Sequence, residues 1–267
     1  MAMFCGRYST LESSLVTRCT DSSKRYEPDV ALVMVESLLV QLPRLVCLIR
    51  SAMEDPRDLQ GRINASDLTQ SIYDSAEDMY VKNTLYRHIT NVPSANTETD
   101  QPYDSIFVFD SLDTFVLAIR YYLYRVLICG LLLRIKSIDA DVLPMGLTSI
   151  EEADMEAAMS VSRCLEYALR PAPSRPMTAL GMMIPLQTAI GTWHRLRKRQ
   201  ISTTTPEYQF ARRMEDWSTG AIKDISSIWR CRAMNVMRNE LICELFAGGP
   251  LLDLVYDYIH VEVGSDR

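Results

Sequence analysis

Apolar positions along this chain recur every three or four residues, the repeat of helices buried along one side. The cleanest stripe is Phe210, Met214, Trp217, Ala221, Ile225 and Ile228. Thr205-Pro206-Glu207 supplies its start, since proline suits a first helical turn. A second stripe is Met155, Ala158, Val161, Leu165 and Leu169. Ser149-Ile150-Glu151-Glu152 has the form of a capping box, so this helix is expected to open at Ser149 and end before Pro171. A third segment, about Met182 to Leu196, accepts Pro185 in its first turn.

Other stretches are apolar nearly all round. Glu27-Pro28-Asp29 opens a run from Val30 to Leu42; Pro43 breaks or kinks it, and Arg44 to Met53 continues as a second short helix. Such a pattern predicts helices enclosed within the domain. The longest helix is predicted from about Leu112 to Ile138, with Asp110 or Ser111 as N-cap. Arg120 and Arg125 interrupt it, leaving only Val126 to Leu133 free of charge. A bilayer span needs about 20 apolar residues, so this segment reads as a core helix.

Between these runs, Ser66 is the candidate cap of a helix extending to about Asn91, with Leu68, Ile72, Met79 and Tyr86 on its packed face. Pro93 to Asp104 is a loop by composition, and Ile106 to Phe109 is the single short strand-like segment. Near the end, Arg232 to Phe246 forms a helix that stops at Gly248-Gly249, and Pro250 opens a last one to about Ile259. Residues 1–26 are polar and irregular, a flexible N-terminal segment. Residues 27–267 then read as one irregular multi-helix domain of the all-α class.

Composition narrows the function classes. The chain has 267 residues, 48% of them hydrophobic, which is ample for a buried core. A net charge of −6 argues against a protein whose main task is gripping phosphate backbones. The first residues lack the charged start and apolar run of a signal peptide. Seven cysteines are scattered so widely that the nearest two, Cys231 and Cys243, stand 12 apart. No pair has zinc-ligand spacing, and an odd, dispersed set suits reduced thiols inside a cell.

Candidate chemistry is sparse. Asp253, Asp257 and His260 share one face of the last predicted helix and could converge on a metal, though Leu251, Leu254, Val255 and Ile259 make that face equally the wet side of an amphipathic helix. Asp74, Glu77 and Asp78 resemble half of a diphosphate-metal site of a class I terpene cyclase. No D-D-x-x-D motif and no second metal motif accompany them, and an exposed acidic face is the better reading. Arg195, Arg197, Lys198 and Arg199 form a basic patch suited to nuclear import or a small anion, or simply to a solvated helix end. Trp193, Trp217, Met214 and Met183 are candidates to line an adaptable effector cavity; the competing reading is core filling. No phosphate-loop, dinucleotide, serine-hydrolase or zinc-protease motif occurs. No catalytic residue and no cofactor are assigned.

The segment AAMSVSRCLEYALRPAPSRPMTALGMMIPLQTAI, from Ala157 to Ile190, resembles the C-terminal part of the regulatory (middle homology) domain of fungal zinc-cluster transcription factors. In that family a helix of the form A-x-x-I-C-x-S-x-x-Y leads through a glycine-containing turn into a P-L-x-x-A-I helix. Ala158, Val161, Ser162, Cys164 and Tyr167 lie on the first motif; Gly181, Pro185, Leu186, Ala189 and Ile190 lie on the second. Ser162 stands where Cys is usual and Cys164 where Ser is usual. The phenylalanine-led step into the long helix at Leu112 extends the similarity, which spans about residue 28 to about 230.

The resemblance implies a helical regulator and not an enzyme, with Gly181 in a tight turn of positive φ. The six-cysteine zinc cluster that reads DNA in the family is missing. Such a chain would act through protein contacts, as a homodimer or bound to a DNA-binding regulator, with a small-molecule effector and without sequence-specific DNA binding or membrane attachment of its own. The implied setting is the nucleus, with the cytoplasm as alternative, and fungal secondary-metabolite control. Two other readings stay open: a metal-dependent helical enzyme of terpenoid or other secondary-metabolite chemistry, and an interaction scaffold without a ligand.

Overall fold

The computed structural model describes residues 27–55, 57–76, 79–94, 102–138, 146–169, 176–200 and 202–228. In chain order the elements begin with α1 (Glu27–Leu39), α2 (Leu42–Glu54), α3 (Leu59–Ala76) and α4 (Met79–His88). A hairpin follows, β1 (Ile89–Pro93) and β2 (Ser105–Phe109), and then the long α5 (Leu112–Ile138). The remainder comprises α6 (Leu147–Arg163), α7 (Leu165–Leu169), α8 (Pro176–Gly181), α9 (Met183–Arg199) and α10 (Pro206–Ile228). Helix accounts for 83% of the interpretable residues, so the expected all-α, multi-helix class holds.

Helix α5 is the axis of the fold, packed by α1, α3, α6 and α9. Leu117, Ala118, Tyr124, Ile128, Cys129 and Leu132 are wholly enclosed on one face, and Ile119, Val126 and Leu127 are buried on the others, which places apolar side chains on every side of it. Its start is set by Ser111, whose Oγ accepts the Thr114 amide at 3.1 Å. Burial alone would raise the Asp110 carboxyl, but hydrogen bonds from His88, Thr114 and Ser111 outweigh it and hold it below the usual range. Two long-range contacts fasten neighbouring helices to this axis. The Tyr124 hydroxyl donates to the Ile72 carbonyl of α3 at 2.7 Å, and Arg120 pairs with Glu36 of α1. Two stretches, Glu27–Glu54 and Leu112–Ser137, are long and apolar enough to cross a membrane; the apolar window of the second is 78% buried inside the protein.

Several boundaries follow local chemistry that the apolar pattern concealed. The first break falls at Val40-Gln41, and Pro43 sits harmlessly in the opening turn of α2. Only Pro28, Ala31 and Val35 of α1 are buried, so this helix lies on the bundle by one face instead of being enclosed. Ser66 is not a cap. Helix α3 starts a full two turns earlier at Leu59, where Asp58 Oδ1 accepts the Gly61 amide at 2.9 Å. The expected continuation to Asn91 is instead a separate helix, α4, which gives way to β1; Met79 and Tyr86 are 62% and 80% exposed and lie off the packed face.

Strand β1 pairs antiparallel with β2 in the register Ile89↔Phe109, Asn91↔Phe107 and Pro93↔Ser105. The strand-like reading of Ile106 to Phe109 is met, and its partner is the element that sequence pattern missed. Ser149 likewise lies inside α6, whose N-cap is Gly146 with no side-chain hydrogen bond. Cys164 occupies the turn between α6 and α7, fully buried, its Sγ donating to the Ser160 carbonyl. Gly181 ends the short helix α8 with φ outside the left-handed range, and a Cβ there would meet only Ile119 Cδ1 at 3.9 Å. The tight left-handed turn implied by resemblance is therefore absent, while Pro185 does fall in the first turn of α9.

Candidate functional site

A cavity of about 310 Å³ opens where α4 and the hairpin face α5 and α6. Helical spacing explains its walls. Lys82, Leu85 and Tyr86 stand at i, i+3 and i+4 on α4, and Ile89 follows as the chain enters β1. Helix α6 presents the small residues Ala153, Ala157 and Ser160 at i, i+4 and i+7, flanked by Glu156 and Arg163 seven residues apart. Their short side chains leave room that larger residues would fill. Tyr121, Tyr122 and Arg125 come from one turn of α5, and Phe107 closes the wall from β2.

Aromatic contacts hold this wall in shape. Phe107 and Tyr122 are stacked with centroids 6.0 Å apart, and Tyr121 meets Tyr122 at 5.4 Å. Phe109 extends the stack into the core, contacting Phe115 at 5.4 Å and Tyr167 at 4.9 Å. The cations are laid on rings as well. The Arg163 guanidinium lies 5.8 Å from the Phe107 centroid, and that of Arg125 lies 5.0 Å from Tyr73. Arg125 is 7% exposed, a rare setting for a charge.

Burial pushes the Tyr121 and Tyr122 hydroxyls far above the ordinary phenol range; a hydrogen bond with Ser160 opposes this for Tyr122 without reversing it. Both therefore remain neutral hydrogen-bond donors at physiological pH. Three cationic side chains and one carboxylate, Glu156, line the cavity beside these donors. Chemically, the arrangement can enclose a small ring system and offer hydrogen bonds to an acceptor at its edge.

The residues expected to form an effector cavity do something else. Trp193, Met214 and Met183 are core side chains exposed by 2% or less. Trp193 meets Phe210 edge-on at 5.8 Å, and Trp217 packs edge-on against Tyr103 at 5.1 Å. Trp193 and Phe210 meet where α9 packs on α10, Trp217 packs on the residue two before β2, and none of the four expected residues lines the cavity beside the hairpin.

Nor do Arg195, Arg197, Lys198 and Arg199 form one open basic patch. Arg195 turns inward across Gly130, where an added Cβ would stand only 3.2 Å from its Nη1. There it grips Asp154 through contacts of 2.7 and 2.9 Å from Nη2 and 3.2 Å from Nε. Arg197 Nε donates to Glu215 at 2.9 Å, and Arg199 pairs with Glu151. Lys198 is exposed. Asp253, Asp257 and His260 lie outside the described residues, as do Trp229 and both predicted helices beyond it. Among the described residues no group of three or more His, Cys, Asp or Glu side chains could hold a metal ion.

Sequence reasoning overlooked the cavity because it followed the apolar stripe of α6 and not the small-residue stripe beside it. Two signals were present. One was Arg125 in mid-helix, and the other was the β-branched cluster Ile89, Thr90 and Val92 that marks β1. No family model matches this chain, and no curated protein or solved structure matches it either.

Proposed function

We propose that this chain is a regulatory module that senses a small molecule and works through protein contacts, in the manner of a zinc-cluster regulator's middle domain without the zinc cluster. The observation that supports it best is the cavity between the hairpin and helices α5 and α6. Its volume lies at the lower end of small-molecule sites, and its walls are divided about evenly between apolar or aromatic side chains and polar or charged ones. Helices α4, α5 and α6 supply most of its walls, and the two-stranded hairpin of β1 and β2 supplies the remainder. The similarity of Ala157 to Ile190 to the fungal regulatory domain adds the context: transcriptional control from the nucleus, through a homodimer or a DNA-binding partner.

The test joins the whole chain to an unrelated DNA-binding module upstream of a reporter gene. Ala153→Phe, which fills the cavity from α6, is compared with the parent in cells of matched protein level. A change in reporter output of threefold or more is the expected result. Equal output from the parent, the filled variant and a chain-free control would end the regulatory reading. The same purified chain is expected to shift no DNA in the presence of competitor at physiological salt, given its acidic balance.

A further inference from the structure

We propose, building on that regulatory reading, that the cavity takes a planar aromatic carboxylate, its ring against Phe107 and the tyrosine pair and its carboxylate on Arg163 and Arg125. The class of ligand follows from what the walls lack and what they offer. Phe107 and Tyr122 already lie nearly parallel, at 26° between ring planes, so a third flat ring continues an existing stack. Ala153 and Ala157 keep the opposite wall shallow enough to admit it. An aliphatic chain would bury in this space too, but would leave the ring faces unused.

Charge selects the other end of the ligand. Among the lining residues Lys82, Arg125 and Arg163 outnumber Glu156, so an anion gains where a cation would meet like charge. The Nε of Arg163 is buried and has no hydrogen-bond acceptor among the described residues. A carboxylate that draws the Arg163 guanidinium toward the cavity would give this donor an acceptor that the protein alone does not supply. Arginine also matches a carboxylate geometrically, with two parallel donors for two oxygens. Tyr121 adds a wall hydroxyl able to donate to such an oxygen.

The experiment titrates the full chain with 2-naphthoate, 2-naphthamide and 2-naphthylmethylamine, followed by calorimetry and by melting temperature. The three probes share one ring system and differ only in charge and hydrogen bonding. The expected result is saturable binding of the naphthoate, at least tenfold weaker binding of the amide, and none of the amine. Arg163→Gln is expected to lower naphthoate affinity tenfold or more, and Ala153→Phe to abolish it, with parental circular dichroism in both. Arg163→Lys, which keeps the charge and loses the fork, is expected to fall between parent and Arg163→Gln.

Equal binding of acid and amide, lost in Ala153→Phe, would overturn the anion assignment while leaving a working cavity. Preferred binding of the amine would overturn it in favour of Glu156 as the anchor. Absence of binding by all three probes would overturn the aromatic class altogether. None of these outcomes touches the reporter comparison with Ala153→Phe, which uses no probe and decides the regulatory reading by itself.

Discussion

The corner where α6 meets α9 and the corner where α6 meets the hairpin both take in arginine, and they use it differently. At the first, Arg195 closes on the Asp154 carboxylate, with Thr192 as a shared partner at 2.9 Å, and the whole group is nearly dry. At the second, Arg163 rests on an aromatic ring beside a cavity, and its Nε has no hydrogen-bond partner among the described residues although Glu156 lines the same cavity. The first arrangement is complete without any visitor. The second has its apolar half in place and its anionic half missing. Arginine in a paired and buried setting reports on architecture; arginine on a ring beside open space is where a ligand is to be sought.

Breaking the closed corner should produce the largest effect. Asp154→Ala strands the Arg195 guanidinium among core residues, and should cost about 3–5 kcal/mol by the usual penalty for a buried charge deprived of its partner. Urea denaturation measures it. Asp154→Leu combined with Arg195→Leu should recover most of that loss, because two apolar side chains remove the stranded charge along with its partner. A double variant as unstable as the single one would show that the pair matters for reasons other than desolvation.

The tyrosines of α5 offer a second, milder contrast. Tyr124 spends its hydroxyl on the Ile72 carbonyl deep in the core, so Tyr124→Phe should cost about 1–2 kcal/mol in the same assay. Tyr122 faces the cavity, and Tyr122→Phe should cost less than half as much. Equal losses would mean that the fold depends on the Tyr122 hydroxyl no less than on that of Tyr124.

At the open corner, Arg163→Gln should change stability by less than about 1 kcal/mol, the scale of a ring-stacked cation near the surface, while lowering naphthoate affinity as proposed above. A stability loss as large as that of Asp154→Ala would erase the distinction between the two corners. The smallest effect belongs to Gly181. Being helical, exposed and unhindered, it should accept alanine with a gain of up to about 1 kcal/mol from reduced freedom of the unfolded chain. A loss of stability in Gly181→Ala would argue for a special backbone conformation after all.

The long α5, the start of α10 at Thr205-Pro206 and the placement of Pro185 were legible because each carries its signal locally. An uninterrupted apolar run, a cap and a proline in a first turn are one-dimensional features. Where the reading failed, the decisive partner lay far off in sequence. Strand β1 is fixed by its pairing with β2, Asn91 opposite Phe107, and the short β-branched cluster within it is a weak signal beside the helix that precedes it. The apolar seam of α1 was visible, but which face would be covered depends on α5. The site was the least legible part. Its walls come from five elements, and its small residues draw attention only when something large is seen to be missing opposite them. Arg195 and Arg197 looked like solvent charges because their carboxylates, Asp154 and Glu215, are 41 and 18 residues away.

Cys164, in the turn between α6 and α7, carries a thiol that burial holds well above its ordinary range, and Cys129 within α5 is pushed up to about 12 for the same reason. Neither forms appreciable thiolate in the closed protein, so alkylating reagents must wait for the chain to open. Cys164 donates to the same Ser160 residue that lines the cavity and bonds Tyr122. Its labelling rate is thus a clock for breathing of the cavity wall, whereas Cys129 keeps time for rupture of the central axis. A bound occupant should slow the first clock and leave the second nearly unchanged.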